Sequence, residues 1–217
     1  ARITAARESF QIARDAFTQL PDSDLADVVH TVSALGWAAY FLDLCPEGIA
    51  LIDRALRVSR KLGRSHALPE LQTVRAYLLS KTGNLHEGSE AADDAIEAAL
   101  IYGYPDVVPL AQAARVRLLQ LTHGPDEVAS ELKQLESLPL PSVRWWRTAV
   151  QSAIWDARNY LGEPVTLPDP SQRLDPMSAT RMAAAVLAAI TADNLEAARR
   201  YVDHARAAAC ELDLPSQ

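Results

Sequence analysis

The chain is 217 residues long, 49% hydrophobic and 23% charged, with a formal net charge of −7. That length and apolar fraction support a buried core in one elongated domain or two small ones. The acidic balance argues against a phosphate-binding surface and hence against direct nucleic-acid binding, and no apolar run reaches the roughly 18 residues that a membrane-spanning helix needs.

Alanine occupies 38 positions and glycine 8; alanine is the strongest helix former, and its methyl lets helices approach closely. Runs of Val, Ile and Thr bounded by turn residues are nearly absent, so strands have little support. Apolar residues recur at helical spacing and predict helices over 2–20, 24–44, 46–63, 67–82, 84–103, 106–122, 125–137, 142–161, 178–192 and 194–212. Pro21, Pro46, Gly63, Gly83, Gly103-Tyr104-Pro105, Gly124-Pro125 and Pro139-Leu140-Pro141 punctuate them. Asp22 or Ser23 is expected to cap the second helix and Asn84 the fifth, while Gly63 and Gly103 suit left-handed helix stops.

Between Glu163 and Ser178, four prolines (Pro164, Pro168, Pro170 and Pro176) rule out a continuous helix. The expected organisation is a helical-hairpin array over 1–162, a proline-rich linker over 163–177, and a C-terminal hairpin over 178–217 that continues or caps the array. Cys45 and Cys210 lie far apart within helical patterns, without metal-ligand or disulfide-framework spacing. They read as idle thiols, and a reducing cytoplasm is the expected compartment. The opening Ala1-Arg2-Ile3-Thr4-Ala5 is not a signal peptide, and without an initiator Met the chain is expected to be a segment of a longer protein.

Internal periodicity organises the rest. With Gly36 placed over Ala76, forty residues on, Gly48 falls over Gly88, Ile52 over Ala92 and Ala55 over Ala95. Ala6, Phe10 and Ala13 carry the same second-helix pattern at the start of the chain, and Ala197 and Tyr201 carry it near the end. A third unit over 106–137 keeps the length with bulkier Val128, Leu132 and Leu135. Small residues at a helix crossing permit close packing, and each hairpin then leaves an apolar face that its neighbour must cover. The fold class expected is all-α, an α-solenoid of about ten helices.

Leu35-Gly36 followed by Tyr40, then the small–apolar–small second helix, resembles the tetratricopeptide pattern. Gly83-Asn84-Leu85-His86-Glu87-Gly88 and Asp193-Asn194-Leu195-Glu196-Ala197 resemble its inter-helix turn. The period is near forty rather than the usual 34. Leu35 to Asp43, Arg54-Ala55-Leu56 and Ala98 to Gly103 are similar to the repeat region of large ATP-binding LuxR-type transcriptional regulators of the maltose-regulon-activator kind. The resemblance covers 25–137 well and 178–212 loosely. It implies an NTPase before these repeats, a helix-turn-helix after them, and an effector-sensing role for the repeats themselves. Neither a Gly-x-x-x-x-Gly-Lys-Ser/Thr loop nor a basic recognition helix occurs in the chain, so ATP and DNA binding are not assigned to it.

Carrying over the repeat's groove-facing positions selects His30, Ser33, Trp37, Tyr40 and Phe41, then Glu70, Thr73, Tyr77 and Lys81, then Ala113, Arg117 and Gln120. Aromatic anchors mixed with polar groups suit a peptide, a small-molecule effector or a partner protein; the alternative for Trp37, Tyr40 and Phe41 is plain helix packing. Trp145 and Trp146 lie about 100° apart on their helix, so one of them is expected to face the proline-rich segment, the next unit, solvent or a partner. Among second helices, the forty-residue offset sets Arg54 against Asp94 and Arg57 against Glu97, which predicts a ladder of ion pairs; Arg57, Arg60, Lys61 and Arg64 could instead form an anion or partner patch. No His pair stands at i, i+4, and neither His-Glu-x-x-His nor Gly-x-Ser-x-Gly occurs. The expectation is a non-catalytic sensor or interaction module without cofactor or metal, with a structural or self-associating scaffold as the alternative.

Overall fold

The computed structural model describes residues 2–163, 185–186, 189–190 and 194–212. Within them the chain is all-helical, and no helix is long and apolar enough to cross a membrane. The helices are α1 (Arg2–Gln19), α2 (Asp22–Asp27), α3 (Val29–Leu42), α4 (Cys45–Lys61), α5 (Leu68–Lys81, preceded by a 3-10 turn at Ser65–Ala67), α6 (Leu85–Tyr102), α7 (Val107–Thr122), α8 (Pro125–Ser137), α9 (Arg144–Tyr160) and α10 (Leu195–Leu212).

The single helix expected over 24–44 is two. The backbone leaves helical geometry at Val28 (φ −114°, ψ 13°), where the amide reaches back to the Leu25 carbonyl. The split lets α2 pack on α4 while α3 packs on α4 and α5. Neither Asp22 nor Ser23 caps α2, since both lie inside it behind Pro21. Asn84 occupies the cap position of α6, but its side chain donates to Thr82 Oγ1 instead of capping. Asn194 does cap α10, accepting from the Ala197 amide at 3.0 Å. Gly63 and Gly103 adopt φ of 68° and 73° at the ends of their helices, as their placement predicts.

Helices α3, α5, α7 and α9 lie side by side in chain order, each packed on the next. α4 fits between α3 and α5, α6 between α5 and α7, and α8 between α7 and α9. Ile52, Leu71, Leu78, Leu79, Leu110, Leu118 and Leu135 are fully buried between the two layers; each such side chain contributes about 1.5–3 kcal/mol through loss of water contact.

The small residues sit where the helices cross. A Cβ at Gly36 would stand 2.5 Å from Val74 Cγ1 and 2.9 Å from Ile52 Cδ1, and one at Gly48 would stand 2.7 Å from Ala39 Cβ. Gly48 faces Leu78, and Gly88, its equivalent forty residues on, faces Leu118 in the same way. Ala185, Ala189, Ala198 and Tyr201 form a small apolar cluster of their own. The linker expected over 163–177 lies, apart from Glu163, outside the described residues, as does most of the helix expected over 178–192.

Candidate functional site

The electrostatic register between the layers differs from the expected ladder. Arg54 does not meet Asp94; it donates to the carbonyls of Phe17 (2.7 Å), Thr18 (3.1 Å) and Leu20 (2.5 Å) and to Asp22 (3.2 Å), tying down the C-terminal end of α1. Asp94 faces Arg60 at 3.8 Å and accepts from Gln72 at 2.6 Å. The reason is geometric: long side chains of α5 stand between α4 and α6, and Arg75 takes Asp53 at 2.7 Å on one side and Glu87 at 3.4 Å on the other.

Forty residues on, Arg115 takes Asp93 at 3.0 Å. Asp53–Arg75 and Asp93–Arg115 are therefore one contact repeated, an acid on a second helix and an arginine on the next first helix, twenty-two residues apart in each case. The basic patch expected on α4 is largely matched as well, with Lys61 on Asp22 and Arg64 on Asp27. A shallow concavity of about 280 Å3 lies there, lined by Asp22, Arg54, Arg57, Val58 and Lys61.

Helices α3, α5 and α7 enclose a cavity of about 190 Å3 lined by Tyr40 from α3, Tyr77, Ser80 and Lys81 from α5, and Ala114 and Arg117 from α7. Its walls come from equivalent positions in successive units: Ser80 is Tyr40 moved forty residues along, and Arg117 stands in the same relation to Tyr77. Tyr77 is buried and donates its hydroxyl to the Leu110 carbonyl at 3.3 Å; burial raises its pKa well above the usual phenol value. Lys81 donates to the Tyr40 carbonyl at 3.0 Å, pairs with Asp43 at 3.0 Å, and stands 5.0 Å from the Tyr40 ring centroid. Arg117 pairs with Asp156 of α9 at 3.2 Å, and its Nε is buried without a hydrogen-bond partner. Burial raises the Asp156 carboxyl above the usual carboxylate range, against the downward pull of Arg117.

Of the positions selected from sequence, the cavity gathers Tyr40, Tyr77, Lys81 and Arg117. The others fall elsewhere. Ser33 donates to Glu70 at 2.9 Å as a separate inter-helix bond. Thr73 is buried and bonds the Pro69 carbonyl of its own helix. Ala113 is fully buried, His30 is exposed and Gln120 is half-buried, none of them lining the cavity.

Trp37 is a core residue rather than a free groove wall, 8% exposed and edge-on to Tyr77 at 5.0 Å. Trp145 and Trp146 are not split between core and exterior. Both are half-buried against the main core, and Trp145 meets Trp37 at 4.9 Å and Phe41 at 6.0 Å. The two rings meet edge-on at 5.9 Å, so the angle between them on the helix is absorbed by side-chain direction.

Sequence reasoning missed Ser80, Ala114 and Asp156. Ser80 was accessible as the partner of Tyr40 at the forty-residue offset. Asp156 lies thirty-nine residues beyond Arg117, close to the same offset, but in a helix where the repeat pattern has faded. Among the described residues no group of three or more His, Cys, Asp or Glu side chains is placed to hold a metal ion. Comparison with protein-family models, with curated proteins and with solved structures gives no match.

Proposed function

We propose that the chain is a tetratricopeptide-like α-solenoid that acts as the sensor and interaction segment of a larger bacterial LuxR-type transcriptional regulator. The observation that carries this reading is the cavity in which Tyr40, Tyr77, Lys81 and Arg117, drawn from three successive first helices, converge. A ligand there touches three consecutive units at once. In a stack built largely from neighbour-to-neighbour contacts, with Trp145 on Trp37 as a contact that skips units, small rotations between units add along the axis. A ligand that binds one curvature better than another shifts the population toward it.

In this reading the shift is relayed to an NTPase and a helix-turn-helix elsewhere in the full-length chain. The segment itself is non-catalytic, uses no cofactor, touches neither nucleic acid nor membrane, and works in the cytoplasm. The repeated Asp53–Arg75 and Asp93–Arg115 pairs support the solenoid part of the proposal, because a stacked array reuses one interface. The resemblance of the repeats supports the regulator part.

A calorimetric titration of the chain against a panel of small metabolites and short peptides tests the sensor role. Saturable binding of a panel member, abolished by Ser80→Phe, which fills the cavity from its rim, is the expected result. A panel with no binder would remove the inner face from the proposal. The regulator assignment is tested separately by the flanking reading frame, which should encode a phosphate-binding loop upstream and a helix-turn-helix downstream.

A second reading, a structural or self-associating scaffold, is favoured by the packing of Trp145 on Trp37 and Phe41, which spends part of the inner face on internal contacts. Sedimentation of wild type against Trp146→Ala separates the two, since only a self-associating scaffold changes mass with that substitution.

A further inference from the structure

The cations of the inner cavity are only partly matched. Arg117 enters from α7 with its side chain 17% exposed, and one terminal nitrogen takes Asp156 at 3.2 Å. Its Nε–H is buried and unpartnered. A guanidinium presents five donors in a fixed fork, and a buried donor left unmade is costly. Its one carboxylate partner is Asp156, whose pKa burial raises and Arg117 pulls back down. Lys81 reaches the same cavity from α5, with donors directed to the Tyr40 carbonyl and Asp43. An ammonium has three donors, so capacity remains there as well.

The wall between these two groups is part apolar and part polar. It consists of the Tyr40 and Tyr77 rings, the Ala114 methyl and the Ser80 side chain; the Tyr77 hydroxyl is already used on the Leu110 carbonyl, and the Tyr40 side chain interacts with Arg117. The volume, about 190 Å3, corresponds to about six waters of liquid. That is room for a compact molecule. A peptide running along the inner face would need the ground beyond Trp37, which Trp145 occupies.

Resting on the ligand-site reading above, we infer that this cavity binds a small organic carboxylate, with the carboxylate between Lys81 and Arg117 and a flat apolar body against the rings of Tyr40 and Tyr77. A charge-assisted contact to a guanidinium or an ammonium is stronger than a neutral hydrogen bond, and planar rings accept a flat body face or edge on.

Benzoate is the probe and benzamide its uncharged isostere, each titrated calorimetrically into the chain at low ionic strength. Benzoate should saturate and bind at least tenfold more tightly than benzamide. Lys81→Gln should lose at least tenfold in benzoate affinity while leaving benzamide unchanged, and Lys81→Arg should retain most of the affinity. Lys81 lies at the surface end of α5, and an unchanged thermal melt would verify that the variants fold. Equal affinity for the two probes, both abolished by Ser80→Phe, would overturn the carboxylate assignment while leaving a ligand site in place. Absence of saturable binding by benzoate would also overturn it, and the ligand-site reading would then be decided by the wider panel alone.

Discussion

The indole of Trp37 on α3 meets the indole of Trp145 on α9 edge to face, with centroids 4.9 Å apart and planes at 80°. This contact joins α3 to α9, three first-helix positions away. Edge-to-face pairs contribute about 0.5–1.5 kcal/mol beyond their area, and half the burial of an indole adds a similar amount. Trp145→Ala should therefore lower unfolding free energy by about 2 kcal/mol in urea denaturation. A loss below the error of the extrapolation would mean that the contact does not hold the layer.

The three helical glycines should respond differently to one methyl group. Ala in place of Gly gains up to about 1 kcal/mol of helix propensity, while overpacking a tight crossing costs about 1–3 kcal/mol. Gly36→Ala and Gly48→Ala place Cβ under 3.0 Å from Val74 and Ala39 respectively, and both should destabilise. Gly88→Ala meets the end of the Leu118 side chain at 3.1 Å and Leu79 Cβ at an ordinary 3.5 Å, and should be neutral or stabilising. Thermal melts of the three variants check the order.

The repeated ion pair allows an internal comparison. Asp53 and Arg75 are 35% and 21% exposed, whereas Asp93 and Arg115 are 56% and 38% exposed. Both couplings should lie at or below about 1 kcal/mol, with the more exposed pair weaker because solvent screens it. Double-mutant cycles with Asn and Gln should give a larger coupling for Asp53–Arg75, and both should shrink as salt rises.

Asp156 should titrate above its ordinary 3.8, since burial outweighs the pull of Arg117. Between the ordinary value and the raised one, the folded state holds a proton that the unfolded chain has lost. Its contribution to stability is thus greatest at low pH and falls as pH rises through that window. Arg117→Gln should raise the midpoint further, as followed by carboxyl NMR; a lower midpoint in the variant would contradict the pairing.

The Cys45 thiol is buried, and burial raises its pKa against the opposing pull of Lys81. Since the thiolate is the reactive form, iodoacetamide should label Cys45 slowly until denaturant is added. Mass mapping of the peptide carrying Cys45 reads the outcome.

Helix content, the turn glycines Gly63 and Gly103, and the equivalence of Gly48 with Gly88 were all legible in the amino-acid order, because each is a short-range matter of spacing, propensity or close approach. Four cavity residues, Tyr40, Tyr77, Lys81 and Arg117, were legible too, since a forty-residue period returns a side chain to the same face of the next first helix. The partners were not. Arg54 pairs with the end of α1 rather than with Asp94, Trp145 seats on Trp37, and Arg117 draws Asp156 from α9. Those contacts depend on how helices far apart in the chain come together and on which long side chain fills the gap between them. Such quantities are properties of the packed assembly, and no local pattern of residues encodes them.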